Sequence, residues 1–406
     1  MPVGLNSLPA LHPVPGVRLG AIAAGVRYPD RLDLVLIVCD AGTETAAVFT
    51  RNRFRAAPVE IAARHLSAAR PRALLINTGN ANAGTGELGR RDAEACCQAV
   101  AQALECEAQE VLPFSTGVIG EPLPVERVVA GVPGCVAVLD AGGWTNAARG
   151  IMTTDTLPKG ASRRVALGGE TVTVTGIAKG AGMLRPDMAT MLAFVATDAP
   201  VAASVLQVLI HKAVERSFNR ITVDGDTSTN DACVLMATGR SGGAPIASED
   251  DPRCEVLFQE ILRVCESLAQ ALVRDAEGAT KFITVTVTGG ASERDCLRAA
   301  YTVAESPLVK TAFFASDPNW GRILAAVGRA GLDRLEIERV AMHLGNVRIL
   351  VNGGLDPEYR EADGRRVMAE PEIAVRIDLG VGTHGATVWT CDLSYEYVRI
   401  NAEYRT

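Results

Sequence analysis

The apolar residues of this 406-residue chain come in short bursts rich in branched side chains, none longer than a strand, and this punctuation limits what it can fold into. Leu34–Cys39 (LVLIVC), Ala46–Thr50 and Ala73–Asn77 read as strands bounded by turn residues. Helical spacing follows over Arg90–Leu104, Asn146–Met152, Ala203–Ser217, Asp251–Arg274 and Ser292–Ala304. Gly168-Gly169, between Arg164–Leu167 and Thr171–Ile177, is a two-residue hairpin signal. Phe282–Val287, Arg339–His343, Val347–Val351 and Ala386–Asp392 are further strands. Hairpins mixed with long helices favour an α+β fold, a layered α/β sandwich with mixed sheets, over a doubly wound parallel sheet. Ser241–Asp251 is the most loop-like segment, and no internal repeat interrupts the pattern.

Composition narrows the functional classes. Hydrophobic residues make up 48% and charged residues 21%, as in a globular chain with a substantial core. The formal net charge is −7 and no Lys/Arg run stands out, which speaks against nucleic acid or an anionic membrane as the main partner. The longest apolar runs, near Leu34–Cys39 and Met191–Ala196, fall well short of a membrane span. The proline-studded start (Pro2, Pro9, Pro13, Pro15) lacks the charged and apolar regions of a secretory signal. The ten cysteines form no CxxC, and Cys39 and Cys233 lie inside apolar runs, as expected of reduced, buried thiols in the cytoplasm. The five histidines, His12, His65, His211, His343 and His384, show no metal-ligand spacing, so no metal or resident cofactor is expected.

Four segments have the residue types for chemistry, and each has a plain structural alternative. Asn77–Gly86 (NTGNANAGTG) has glycines that let backbone N–H groups approach an anion, but it matches neither common phosphate-loop pattern and reads equally as a tight turn. Asp224–Asp231 (DGDTSTND) begins like a calcium loop, but Thr229 stands where glycine belongs and Leu235 where glutamate belongs. A turn with side-chain-to-backbone hydrogen bonds is the simpler reading. Phe114–Gly120 (FSTGVIG) is a strand end breaking at Thr116-Gly117, either a bare turn or a place where a hydroxyl and an N–H converge on an oxyanion. In Ala178–Asp198 (AKGAGMLRPDMATMLAFVATD), two glycines and Pro186 precede an apolar run that begins at Thr190. That threonine either enters a buried strand or sits at a strained peptide bond open to attack by its own hydroxyl.

Taken together, STGVIG, MTTDT, KGAGMLRPDMATML, DGDTSTND, AEGATK, SDPNWGR and the terminal VRINAEYRT resemble, in order, the ornithine acetyltransferase family, the bifunctional glutamate N-acetyltransferases of arginine biosynthesis. The resemblance runs from about Gly16 to Thr406. It implies a fold like that of self-cleaving N-terminal-nucleophile acyltransferases and a cut between Ala189 and Thr190. An α fragment, 1–189, and a β fragment, 190–406, would stay associated, as a dimer of αβ units. It also implies that Thr190 is the nucleophile, that Thr116 and Gly117 stabilise the oxyanion, and that Thr153, Lys179, Thr190, Glu277, Asn401 and Thr406 contact substrate. The tandem threonines leave Thr153, Thr154 and Thr156 as alternatives for one contact, and Asp187 stands where many members carry asparagine.

The implied chemistry suits these residue types. A threonine hydroxyl needs a base, and an N-terminal amine is one. With a pKa of about 7.7–8.0, that amine has a neutral fraction near pH 7. Before cleavage the same nitrogen is an amide, so maturation creates the base and explains the scarcity of histidine. The expected reaction carries acetyl from N2-acetyl-L-ornithine to L-glutamate through acetyl-Thr190, with acetyl-CoA as a further donor. An N-terminal-threonine amidohydrolase or aminopeptidase would share Thr190 but pass the acyl group to water. A non-catalytic binding protein would show no cut.

Overall fold

The computed structural model describes residues 2–185 and 191–403, which divide into two compact units. The larger takes in Ser7–Asn219 and Thr227–Leu272, the smaller Arg220–Asp226, Val273–Tyr404 and the first residues of the chain.

Two sheets form the heart of the larger unit. The four-stranded sheet runs in the order Val17–Ile22, Leu34–Cys39, Ala73–Asn80, Val111–Val118. The five-stranded sheet runs Glu44–Phe49, Ala232–Ala237, Leu192–Thr197, Glu170–Lys179, Lys159–Leu167. Because successive strand residues face opposite ways, the fully buried Leu34–Cys39 serves two cores. Val35, Ile37 and Cys39 meet the second sheet through a shared core that includes Phe114, Ile177, Leu192, Phe194 and Met236. Leu34, Leu36 and Val38 face a different core, with Cys97 and Val100 of helix Gly86–Leu104 and Val128 and Val132 of helix Val125–Ala137. Behind the second sheet, Val264 and Leu268 of helix Pro252–Arg274 press on Gly176, where an added Cβ would lie 3.1 Å from each. The layers therefore run helix, sheet, sheet, helix, the α+β sandwich expected.

The smaller unit has one six-stranded mixed sheet, in the order Gly354–Leu355, Val347–Val351, Ala341–Leu344, Glu372–Asp378, Phe282–Gly290, His384–Cys391. Phe282–Gly290 and Glu372–Asp378 pair in parallel; the other neighbours are antiparallel. Helices Glu293–Ala304 and Trp320–Gly328 give one face its core, Val303, Ile323 and Val327 packing with Val285, Val375 and Ile377. Along Glu372–Asp378 every second residue is exposed, as in a half-covered sheet.

Leu34–Cys39 and Val347–Val351 have the expected bounds, and the hairpin closes at Leu167 and Glu170 with positive φ at both intervening glycines. Two differences bear on the site. Ala73–Asn80 continues three residues past Asn77, and Val111–Val118 passes through Thr116-Gly117 instead of breaking there. Parallel pairing carries both strands onward, with a register irregularity at Gly79/Asn80. All ten cysteines are free, and nine are buried. Among the described residues no helix is long and apolar enough to cross a membrane.

Phe194, fully buried, meets Phe114 edge-on at 5.2 Å between ring centres, two residues before Thr116. Phe194→Ala should cost about 3–5 kcal/mol of stability, read as a lower denaturant midpoint, because the rigid sheets cannot close over the lost ring.

Candidate functional site

The irregularity in the four-stranded sheet places Thr116 and Gly117 where the ladder is interrupted. Gly117 has φ +137°, and a Cβ there would lie 2.3 Å from the Gly79 carbonyl carbon, so no side chain fits. Thr116 is buried, and its Oγ1 accepts a hydrogen bond of 3.1 Å from Lys179 Nζ. The lysine thus occupies a lone pair and leaves the hydroxyl's own proton to point elsewhere. It also polarises that hydroxyl, making it a stronger donor toward a developing negative charge. Sequence order hides this contact, since 63 positions separate the two residues.

A buried carboxylate organises the approach to Lys179. Asp155 Oδ1 accepts from Lys159 Nζ at 2.6 Å and from the Gly180 N–H at 2.8 Å, while Oδ2 accepts from the Thr153 N–H at 2.9 Å. The Asp155 and Lys159 side chains are 0% and 1% exposed. Burial alone would lift the Asp155 carboxyl; Lys159, Lys179 and the Gly180 N–H outweigh it and hold the group well below the usual carboxylate range. Asp155 thus joins the MTTDT segment to the strand end that carries Lys179. Thr153 is fixed here through its main chain, its carbonyl also accepting from Arg31 at 2.9 Å.

A second buried carboxyl is in the opposite state. Burial pushes Asp231 well above the ordinary range, against the pull of hydrogen bonds from Ser228 and the charge of Lys179. Its Oδ2 has no hydrogen-bond partner among the described residues. The next residue, Ala232, donates its N–H to the Met191 carbonyl at 2.9 Å. The glycine- and asparagine-rich segment is likewise a network of side-chain bonds. Ser115 Oγ donates to Asn77 Oδ1 at 2.6 Å, Asn77 Nδ2 to the Asn80 carbonyl at 2.9 Å, and Asn80 Oδ1 accepts from the Asn82 N–H at 2.7 Å.

In the smaller unit, Glu277 and Asn401 meet: Asn401 Nδ2, on helix Tyr395–Glu403, donates to Glu277 Oε2 at 2.8 Å. Tyr397, one turn earlier, donates its hydroxyl to Asp224 Oδ2 at 3.3 Å. Burial, then the charges of Asp224, Glu277 and Asp226, hold its phenol above the ordinary value. This carboxylate-rich corner has the character to attract an ammonium group. Ala189, Thr190, Thr406 and Asp187 lie outside the described residues.

The structure thus brings Thr116 together with Lys179, places Thr153 and Gly180 on one carboxylate, and joins Glu277 to Asn401. Sequence reasoning missed Asp155, Lys159, Asn230 and Asp231. The signal for the first pair was an acid within the MTTDT segment already singled out and a lysine four residues after that acid.

A family model described as the ArgJ family matches residues 18–406. The chain is 55% identical to the arginine biosynthesis bifunctional protein ArgJ of Pseudomonas syringae pv. tomato and 54% identical to that of Pseudomonas fluorescens, each over the full length of both chains. A crystal structure of the arginine biosynthesis bifunctional protein ArgJ of Bacillus halodurans is 36% identical, with a TM-score of 0.50, covering 52% of this chain and 98% of that one.

Replacing Asp155 by asparagine removes the buried negative charge that faces Lys159 and Lys179 and should cost about 3–5 kcal/mol at neutral pH. A depressed carboxyl stabilises the fold above its unfolded pKa of about 3.9 and stops doing so as pH falls through the lower folded value. The gap between wild type and Asp155→Asn in thermal melts should therefore be full at pH 7 and shrink on acidification below about pH 4.

Proposed function

The chain belongs to the ArgJ family, and from that premise we propose that it is an acetyltransferase of arginine biosynthesis that carries acetyl from N2-acetyl-L-ornithine to L-glutamate through an ester on Thr190. The observation that carries the reading is the Lys179–Thr116 contact beside Gly117. A polarised hydroxyl beside a backbone N–H is what a tetrahedral oxyanion needs.

The first reaction is on the chain itself. The Thr190 hydroxyl attacks the Ala189 carbonyl, the C–N bond breaks, and the departing nitrogen takes a proton. Water then hydrolyses the resulting ester, freeing the Ala189 carboxylate and restoring the Thr190 hydroxyl beside the amine released in the first step. That amine is now the base that the hydroxyl lacked. In turnover, Thr190 Oγ attacks the acetyl carbonyl of acetylornithine, the amide bond breaks, and ornithine leaves with the proton. The glutamate α-amine attacks the ester, and Thr190 recovers its hydroxyl. Thr116 and Gly117 face the oxyanion in each step. Lys179 supplies positive charge for the substrate carboxylate, Glu277 a partner for its ammonium, and Thr153, Asn401 and Thr406 further polar contacts. Acetyl-CoA as a second donor gives the bifunctional activity that the relatives' names carry. The two fragments remain together, in the cytoplasm, as a dimer of αβ units.

Purified protein should run as two bands of similar size on a denaturing gel and should make acetylglutamate from acetylornithine and glutamate. Thr190→Ala should give one full-length band and transfer lowered at least about 10³-fold, since one hydroxyl serves both reactions; Thr190→Ser should retain some of each. Free acetate in place of acetylglutamate would assign the chain to the amidohydrolases, and normal cleavage in Thr190→Ala would remove the nucleophile.

A further inference from the structure

We propose that Asn230 is a positioning residue for the Thr116–Gly117 pair, its side-chain amide standing in for the interrupted strand ladder that would otherwise hold them. The proposal rests on the oxyanion reading of those two residues.

Asn230 is 6% exposed and fully engaged. Its Nδ2 donates to the Ala81 carbonyl at 2.6 Å and to the Ser115 carbonyl at 2.9 Å; its Oδ1 accepts from Thr229 Oγ1 at 2.6 Å. The Ser115 carbonyl lies within strand Val111–Val118, and the Ala81 carbonyl directly follows the end of its parallel neighbour Ala73–Asn80, next to the place where their pairing loses register at Gly79/Asn80. A regular ladder would satisfy them with backbone N–H groups, and here one carboxamide spans both. The Ser115 carbonyl shares its peptide plane with the Thr116 N–H, so fixing it fixes the plane from which Thr116 and Gly117 are aimed. The donor set also has a sense: the Thr229 hydroxyl holds the oxygen of the amide and so turns the NH₂ toward both carbonyls.

The same turn reaches the chain on either side of 186–190. Thr227 Oγ1 donates to the Arg185 carbonyl at 3.3 Å, and the Ala232 N–H donates to the Met191 carbonyl at 2.9 Å. Thr50 anchors the turn in its own right, its N–H donating to the Asp231 carbonyl at 3.0 Å and its Oγ1 to the Ser228 carbonyl at 2.9 Å. One stretch, 227–232, thus bonds both to the strand that carries Thr116 and to Arg185 and Met191, the described residues on either side of 186–190. Within the run that resembles the start of a calcium loop, the side chains of Thr227, Thr229 and Asn230 make these bonds.

The test compares Asn230→Ala with Thr116→Val, and uses Thr229→Val as a milder variant that releases only the orienting hydroxyl. Each is followed by the first-order rate of self-cleavage on a gel, by kcat and KM for acetylornithine and glutamate, and by thermal melting. Asn230→Ala should lower kcat about 10- to 100-fold with both KM values within about threefold, and should slow self-cleavage in proportion, because both steps use the same donors. Thr229→Val should move both rates the same way by about three- to tenfold, which keeps the proposal testable if Asn230→Ala does not fold. Unchanged kcat, a change confined to KM, or a lower melting temperature with both rates intact would overturn the positioning role. If Thr116→Val also leaves both rates intact, the oxyanion reading itself fails; if it alone lowers them, only the role of Asn230 fails.

Discussion

The ionised state of Asp155 is the condition on which the proposed site depends. A carboxylate with no exposed side-chain surface is tolerable only if its lone pairs are filled, and here they are filled by an ammonium and two main-chain N–H groups. Each donor comes from a different piece of chain: a loop at Thr153, the start of one strand at Lys159, the end of its hairpin partner at Gly180. The electrostatic requirement of one group therefore fixes three segments, and Lys179, the residue before Gly180, is delivered to Thr116 as a result.

Around that point the sheet gives up regular hydrogen bonding and side chains take over. Asn77, Asn80, Asn82, Ser115 and Asn230 bond to one another and to carbonyls that a continuous ladder would have served. Amide side chains suit the task because each carries two donors and an acceptor at fixed angles. The result is an irregular stretch of sheet around Thr116 and Gly117 held in place by side chains.

The layers were legible in the sequence because strands such as Leu34–Cys39 carry their burial in their own composition. The Gly168-Gly169 turn was legible because its φ angles demand glycine. Helix Ala57–Ala68 escaped notice, its start marked by Pro58 but its alanines giving weak periodicity. Motif order named Thr116 and Lys179 in the larger unit and Glu277 and Asn401 in the smaller, whereas the hydrogen bonds within each pair came only with the fold. Asp155 and Asp231 show why: the same residue type is driven in opposite directions, one by two lysines and an N–H, the other by burial. Neither environment is local in sequence. The Thr116-Gly117 turn was misread for a related reason, since a parallel neighbour 38 residues earlier carries the strand onward.

The strands Glu170–Lys179 and Leu192–Thr197 are adjacent and antiparallel, with Lys179 opposite Leu192. A chain severed between them is two polypeptides sharing one sheet, and mass action then enters its stability. While the link is intact, closing the pair is intramolecular and costs only the entropy of a short loop. Once it is cut, unfolding releases two species, and recovery depends on their concentration as for any obligate dimer. Such a molecule has reason to fold before it cuts and, afterwards, to persist by unfolding slowly rather than by refolding readily.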